Sequence, residues 1–179
     1  MKSNSKKIMI ATVIILIIAA LTINYMYPYS ALSMNKKIEV NQNKITTRYK
    51  NNLKKLFVGI PTLSKDRSYN EKISAQVENV LASSTLKKED IKKSDLLKLL
   101  SEMNNLVKNI GHSVRYQPEY FNDNQRSYLI ELKNHLEANS YNTNQIIEDS
   151  FSSKKDIQQA INNLYVGMNQ DIKSLLILG

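Results

Sequence analysis

The chain has 179 residues, 25 Lys+Arg against 16 Asp+Glu, and neither cysteine nor tryptophan. That length leaves room for one domain once a membrane segment is set aside. The missing cysteine excludes a disulfide, a thiolate nucleophile, a Cys-ligated zinc and a lipidated thiol.

Four Gly and three Pro favour long helices with few turns. Lys2, Lys6 and Lys7 precede the first apolar run, leaving 22 basic against 16 acidic residues beyond it. That excess is too diffuse to name nucleic acid as a partner. It suits a solvated, Lys-rich helical surface, or long-range attraction to anionic lipid or wall polymer.

After a basic tail (1–7), Ile8 to Ile23 carries no charge, and Thr12 and Thr22 are its only polar residues. Taken to Tyr27, the run has 20 residues and spans about 30 Å as a helix, the thickness of a hydrocarbon core. Secretory apolar regions are shorter, about 7–15 residues. The expectation is therefore a transmembrane anchor over 8–27. Tyr25, Tyr27 and Tyr29 follow as a membrane-interface belt, since a phenol ring is apolar and its hydroxyl seeks water. Pro28 removes a backbone donor and is placed to kink the helix. The competing reading is cleavage after Ser33, with Ala31 and Ser33 as the small pair, ten residues past Ile23. Lys2, Lys6 and Lys7 determine topology by the positive-inside rule, against Lys36 and Lys37 on the far side. They place the N-terminus in the cytoplasm and the larger domain (28–179) outside, as a single-pass protein of the cell membrane.

Beyond the anchor, Met34, Ile38, Ile45, Tyr49, Leu53, Leu56 and Ile60 form a helical stripe, expected to continue from the membrane helix and to break at Pro61. A second helix carries Tyr69, Ile73, Val77, Val80 and Leu81. "SSTLKKEDIKKSD" (Ser83 to Asp95) reads as a charged connection, with Ser94 a candidate N-cap. A third helix carries Leu96, Leu99, Leu100, Met103, Leu106, Val107, Ile110 and Val114, is weakened at Gly111 and stops at Pro118. A fourth begins near Asn122 with Leu129, Leu132 and Leu136. "NSYNTN" (Asn139 to Asn144) is compatible with a loop or with the exposed middle of one long helix. The stripe resumes at Ile147, Phe151, Ile157, Ile161, Leu164, Tyr165 and Met168, and Gly167 allows a bend before Ile172 to Leu178. No stretch alternates long enough to be read as a strand. The fold class is all-α: one N-terminal transmembrane helix, then an antiparallel bundle of about four long helices.

The order of these landmarks resembles that of the LemA family of bacterial membrane proteins. "NLKKLFVGIPTL" (Asn52 to Leu63) is similar to the family's run of Leu, Lys and Arg leading to Ile-Pro-Asn-Leu, with Leu53, Lys54, Ile60, Pro61 and Leu63 as the matching positions. Tyr69 and Glu71 fall near its Tyr and His-Glu. "LVKNIGHSVRYQPEYFNDNQ", "YLIELKNHLE" and the closing "NQDIKSLLILG" resemble its later helices. Leu56, Val58 and Asn70 depart from the pattern, and the lysine tail is longer. The resemblance implies a single-pass anchor continuing into a bundle of about four helices, and brings no catalytic residue.

Chemistry is sparse. His112 and His135 belong to no HExxH and no i, i+4 His pair. His135 and Glu131 are i, i+4 neighbours, more often surface polarity than a metal or acid–base site. No serine lies in G-x-S-x-G or S-x-x-K, and four Gly residues could hardly build a phosphate loop. The expectation is a protein without enzymatic activity, catalytic residues, metal or cofactor, a scaffold or adaptor of the bacterial cell envelope. Its partners would be the lipid bilayer and an envelope protein or anionic wall polymer, with no nucleic acid. The alternative is an envelope-remodelling enzyme or enzyme accessory acting on cell-wall or lipid material.

Overall fold

Pro28 is where the apolar helix gives way. In the computed structural model, which describes residues 2–30, 33, 36–40, 42–149 and 151–178, α1 spans Lys2–Met26. Every side chain from Lys6 to Thr22 is exposed. The Lys6–Met26 stretch is long and apolar enough to cross a membrane, a property that an export signal shares. The Tyr27 amide still reaches Ile23 O at 2.9 Å, and the Ser30 amide turns back onto Tyr27 O at 3.0 Å. The helix does not run on into the next stripe. The chain instead forms β1 (Lys37–Glu39) and enters α2 (Lys44–Leu56) only after Asn43, whose side chain accepts from the Ile45 and Thr46 amides. The Thr46 hydroxyl accepts from the Asn43 amide in return, closing a capping box. Met34, Ala31 and Gly179 lie outside the described residues, as does the side chain of Lys2.

After α2 an extended segment leads past Pro61 to α3 (Arg67–Leu81), capped by Asp66 through the Tyr69 amide. The expected connection between Ser83 and Asp95 is structured: a single turn α4 (Ser84–Lys87), then β2 (Asp90–Lys92). β2 pairs antiparallel with β1 in the register Ile38↔Ile91, and both isoleucines are buried. Three residues per strand are too few for alternation to show in sequence, which is why no strand was expected. α5 (Lys93–Tyr116) begins one residue before Ser94. The cap comes from Asp95, whose carboxylate accepts from the Lys92 amide at 2.9 Å and from Lys88 Nζ at 2.6 Å. Gly111 does not interrupt α5. A 3-10 turn over Pro118–Tyr120 follows, and Asn122 and Gln125 form the capping box of α6 (Asp123–Glu148). "NSYNTN" is helical within α6, with Ser140 and Thr143 buried. α7 (Lys154–Leu178) is unbroken at Gly167. There the absent Cβ admits the Asn139 amide of α6, whose Nδ2 would lie 2.6 Å from such an atom.

The chain is thus mostly helical, with six helices of thirteen residues or more and two short strands among the described residues. Cross-helix contacts give the directions. Leu96 with Ile146, and Gly111 with Lys133, make α5 and α6 antiparallel. Asn139 with Gly167, and His135 with Asp171, do the same for α6 and α7. Gln76 with Asn109 sets α3 against α5. α2 runs parallel to α7, because Asn43 bonds Asn162 and Asn52 bonds Asn169. First and last helices of the body therefore lie side by side. One continuous core fills the interior, from Tyr29 and Ile38 through Leu99, Met103 and Leu132 to Leu175. Each fully buried Leu or Ile side chain there contributes on the order of 2 kcal/mol.

Candidate functional site

Three buried tyrosines tie the connection between α3 and α5 to the rest of the molecule. Tyr29, just past α1, donates to Ile91 O at 2.9 Å; Tyr49 of α2 donates to Leu81 O at 2.7 Å; Tyr165 of α7 donates to Leu86 O at 2.7 Å. The rings of Tyr49 and Tyr165 meet edge to face at 5.2 Å. Burial pushes the Tyr165 phenol up to about 12 and raises those of Tyr29 and Tyr49 further, so all three stay protonated donors at any ordinary pH. Tyr29 corrects the expected interface belt. It is only 3% exposed and belongs to the core, because its hydroxyl finds a backbone carbonyl there.

The other two belt residues behave differently. Tyr25 is exposed at the end of α1 with the Lys154 ammonium 5.0 Å from its ring centre, and Tyr27 meets the edge of Phe151 at 6.4 Å. The Ser33 hydroxyl bonds Asn24 of α1 at 3.0 Å. Of the three lysines expected to determine topology, Lys6 and Lys7 are exposed on the first turns of α1, and Lys2 opens that helix. The exit of α1 is thus held against β2 and the α6–α7 turn.

Of the resemblance-bearing residues, Leu53 and Lys54 lie in the last turns of α2, and Ile60, Pro61 and Leu63 sit on the segment that follows it, which packs against the 3-10 turn after α5 and the start of α6. Leu53 and Leu63 are buried, Ile60 and Pro61 partly so, and Lys54 is exposed. The Ile60–Ser64 segment is pinned from three sides. Asn70 Oδ1 accepts from the amides of Leu63 (2.7 Å) and Ser64 (3.1 Å). Gln125 Nε2 donates to Thr62 O at 2.9 Å. Tyr120 O accepts from the Lys65 amide and the Ser64 hydroxyl. Tyr69 packs its ring on Tyr120 and Phe121. Stretches far apart in sequence therefore make one joint, whose role is to turn the chain from α2 into α3.

The two histidines separate. His112 is exposed on α5, its ring 4.9 Å from that of Tyr116. His135 does face Glu131, at 4.0 Å from Nε2, but its closer partner is Asp171 of α7, at 2.7 Å from Nδ1. Asp171 is 2% exposed, and its Oδ2 has no hydrogen-bond partner among the described residues; neither has the buried Tyr128 hydroxyl. Burial pushes the Asp171 carboxyl up to about 6, against the opposing pull of His135. The charges of Asp171 and Glu131 add to burial in raising the Tyr128 phenol. Sequence reasoning found the His135–Glu131 neighbours and missed Asp171. Its signal was a carboxylate three residues after Met168, on the apolar stripe of α7. The two carboxylates approach opposite ring nitrogens, so they do not converge on one point. No group of three His, Cys, Asp or Glu side chains suited to a metal ion occurs among the described residues. What the cluster does is join α6 to α7 through the part-buried hydrogen bond between Asp171 and His135.

Between α6 and α7, on the half nearer the turn that joins them, an open groove of about 440 Å³ is lined by amides, among them Asn139, Asn142, Gln145, Gln159 and Asn163. Comparison of the chain with known family patterns, with characterised proteins and with solved structures finds no match.

Proposed function

We propose that this protein is a membrane-anchored helical bundle, without enzymatic activity, that serves as a scaffold or adaptor at the bacterial cell envelope. In this reading α1 is the single membrane span, its lysines stay in the cytoplasm, and α2 to α7 form a mainly antiparallel bundle on the outer side. The carrying observation is α1 itself, a helix with no buried side chain from Lys6 to Thr22 and with apolar residues on every face. Such a surface is costly in water and neutral in hydrocarbon. The amide-lined groove between α6 and α7 supports the adaptor role, because Asn and Gln side chains make adaptable hydrogen bonds with a protein partner. The sequence resemblance to the LemA family supports the same architecture, and we propose the chain as a divergent LemA-like protein.

Protease treatment of intact protoplasts tests this directly. The expected result is digestion of the bundle from outside, with a protected N-terminal tail and α1 retained in the membrane after alkaline extraction. Mature protein free in the medium and lacking α1 would overturn it. Crosslinking in the membrane is expected to recover a reproducible envelope partner. The enzymatic alternative rests on the His135–Asp171 pair alone. Complete rescue of a deletion phenotype by His135→Ala and by Asp171→Asn would exclude it.

A further inference from the structure

Phe151 is the apolar residue that the helical stripe assigns to the core and the structure leaves 79% exposed. It sits on the turn between α6 and α7. Asp149 Oδ1 accepts from the Phe151 amide at 2.8 Å, and Asp149 Oδ2 accepts from the Ser152 hydroxyl at 3.2 Å. Ser152 is buried beneath the turn. The Phe151 ring meets Tyr27 edge-on, one residue past the end of α1, and Lys154, the first residue of α7, lies over the Tyr25 ring. Tyr29, two residues further, is bonded into the core. The chain between the apolar helix and the bundle therefore has no slack. Wherever the end of α1 sits, the α6–α7 turn sits at the same depth.

We infer that the α6–α7 turn is a second membrane contact, in which Phe151 inserts among lipid headgroups beside the exit of α1 and fixes the tilt of the bundle. This rests on the reading of α1 as a span. Aromatic rings favour that depth, and a lysine stem lies along the interface with its ammonium in water. The occupant is the bilayer rather than a protein, because the exposed ring is continuous with Tyr25, Tyr27 and the bare surface of α1. The local charges do not select anionic lipid: Lys154 and Lys155 are offset by Glu148, Asp149 and Asp156. Insertion is accordingly expected to be the same in neutral and acidic bilayers.

The chain contains no tryptophan, so each single Phe151→Trp, Leu16→Trp or Tyr116→Trp variant reports from one place. The full chain is reconstituted in phosphatidylcholine vesicles with and without bromine on the acyl chains near the headgroup. Phe151→Trp is expected to emit at shorter wavelength than in detergent-free buffer-exposed sites and to lose emission to the brominated lipid. Tyr116→Trp, on the exposed far end of α5, is expected to keep its emission. Leu16→Trp reports on α1 alone. Quenching of Leu16→Trp without quenching of Phe151→Trp overturns the second contact and leaves the span intact. Absence of quenching in both overturns the span, and the second contact with it. Quenching of Phe151→Trp only when phosphatidylglycerol is present would refute the aromatic basis of the contact.

Discussion

Replacing Tyr49 by phenylalanine removes one oxygen and leaves the ring, its volume and its edge contact with Tyr165 in place. What it takes away is the 2.7 Å bond to Leu81 O. Leu81 is the last residue of α3, so its carbonyl has no further turn of helix to accept from. The tyrosine is fully buried and Leu81 is too, so water does not replace the hydroxyl without opening the core. An unsatisfied buried carbonyl costs about 1–3 kcal/mol. In a domain of about 150 residues, each kcal/mol lowers Tm by roughly 2–4 °C. Tyr49→Phe is therefore expected to lower Tm by about 2–12 °C in detergent, read from helix circular dichroism. Tyr141→Phe is the control: its hydroxyl belongs to an exposed side chain of α6, and it is expected to stay within about 0.5 kcal/mol of the parent. Tyr165 bonds a different carbonyl, Leu86 O, and Tyr165→Phe should cost a similar amount. If Tyr49→Phe and Tyr141→Phe melt alike, the hydroxyl bonds are not what holds the connection between α3 and α5.

Three further outcomes are expected. Asp171 holds its proton up to about pH 6 in the folded chain, above its ordinary value of 3.8. Between those values the folded state binds a proton that the unfolded state has released. Stability is therefore greatest below about pH 4 for this group and falls as pH rises toward 6, by up to about 3 kcal/mol. Asp171→Asn keeps an acceptor for His135 and should remove that fall, seen as a urea midpoint that declines less than the parent's between pH 4 and 7; parallel profiles would refute the assignment. Asn70→Ala strips two backbone amides of their acceptor and is expected to cost about 1–3 kcal/mol, whereas Asn70→Asp retains both bonds and should cost less, as urea titration would show. Gln125→Ala removes both the reciprocal cap of α6 and the hold on Thr62 O, so it should raise amide exchange at the α6 N-terminus and in the Ile60–Ser64 segment together.

The sequence was most legible where one physical rule acted alone. The apolar run ends within a residue of where α1 does, because length and charge decide it. Pro118 and Asn122 mark the α5–α6 turn through the missing donor and the capping side chain. Legibility failed where a distant partner decided. Asn139 to Asn144 is compatible in sequence with a loop or with the exposed middle of a long helix; it is helical, and Ser140 and Thr143 are small enough to be buried in the body of α6. Tyr29 reads as a membrane ring until Ile91 O, 62 positions away, supplies its acceptor. Asp171 falls on the apolar stripe of α7, and only the α6–α7 packing brings His135 to it. The β1–β2 pair depends on contacts across more than 50 residues and leaves no local period.

The joint between α1 and the body has a mechanical consequence. A helix ending in a flexible linker would let the bundle sample many orientations over a membrane, since reach grows with linker length. Here two residues separate Met26 from Tyr29, which is already in the core, and one of them is Pro28. Ser33 and Asn24 add a bond across the same corner, and the α6–α7 turn closes its other side through Phe151 and Lys154. If α1 spans a bilayer, the bundle cannot swing freely. The groove between α6 and α7 would then keep one bearing and one height relative to the membrane. An adaptor with that geometry selects partners by where they sit along the membrane normal as well as by their chemistry. Lengthening the chain at Pro28 with a flexible insert should therefore weaken partner crosslinking while leaving membrane retention unchanged.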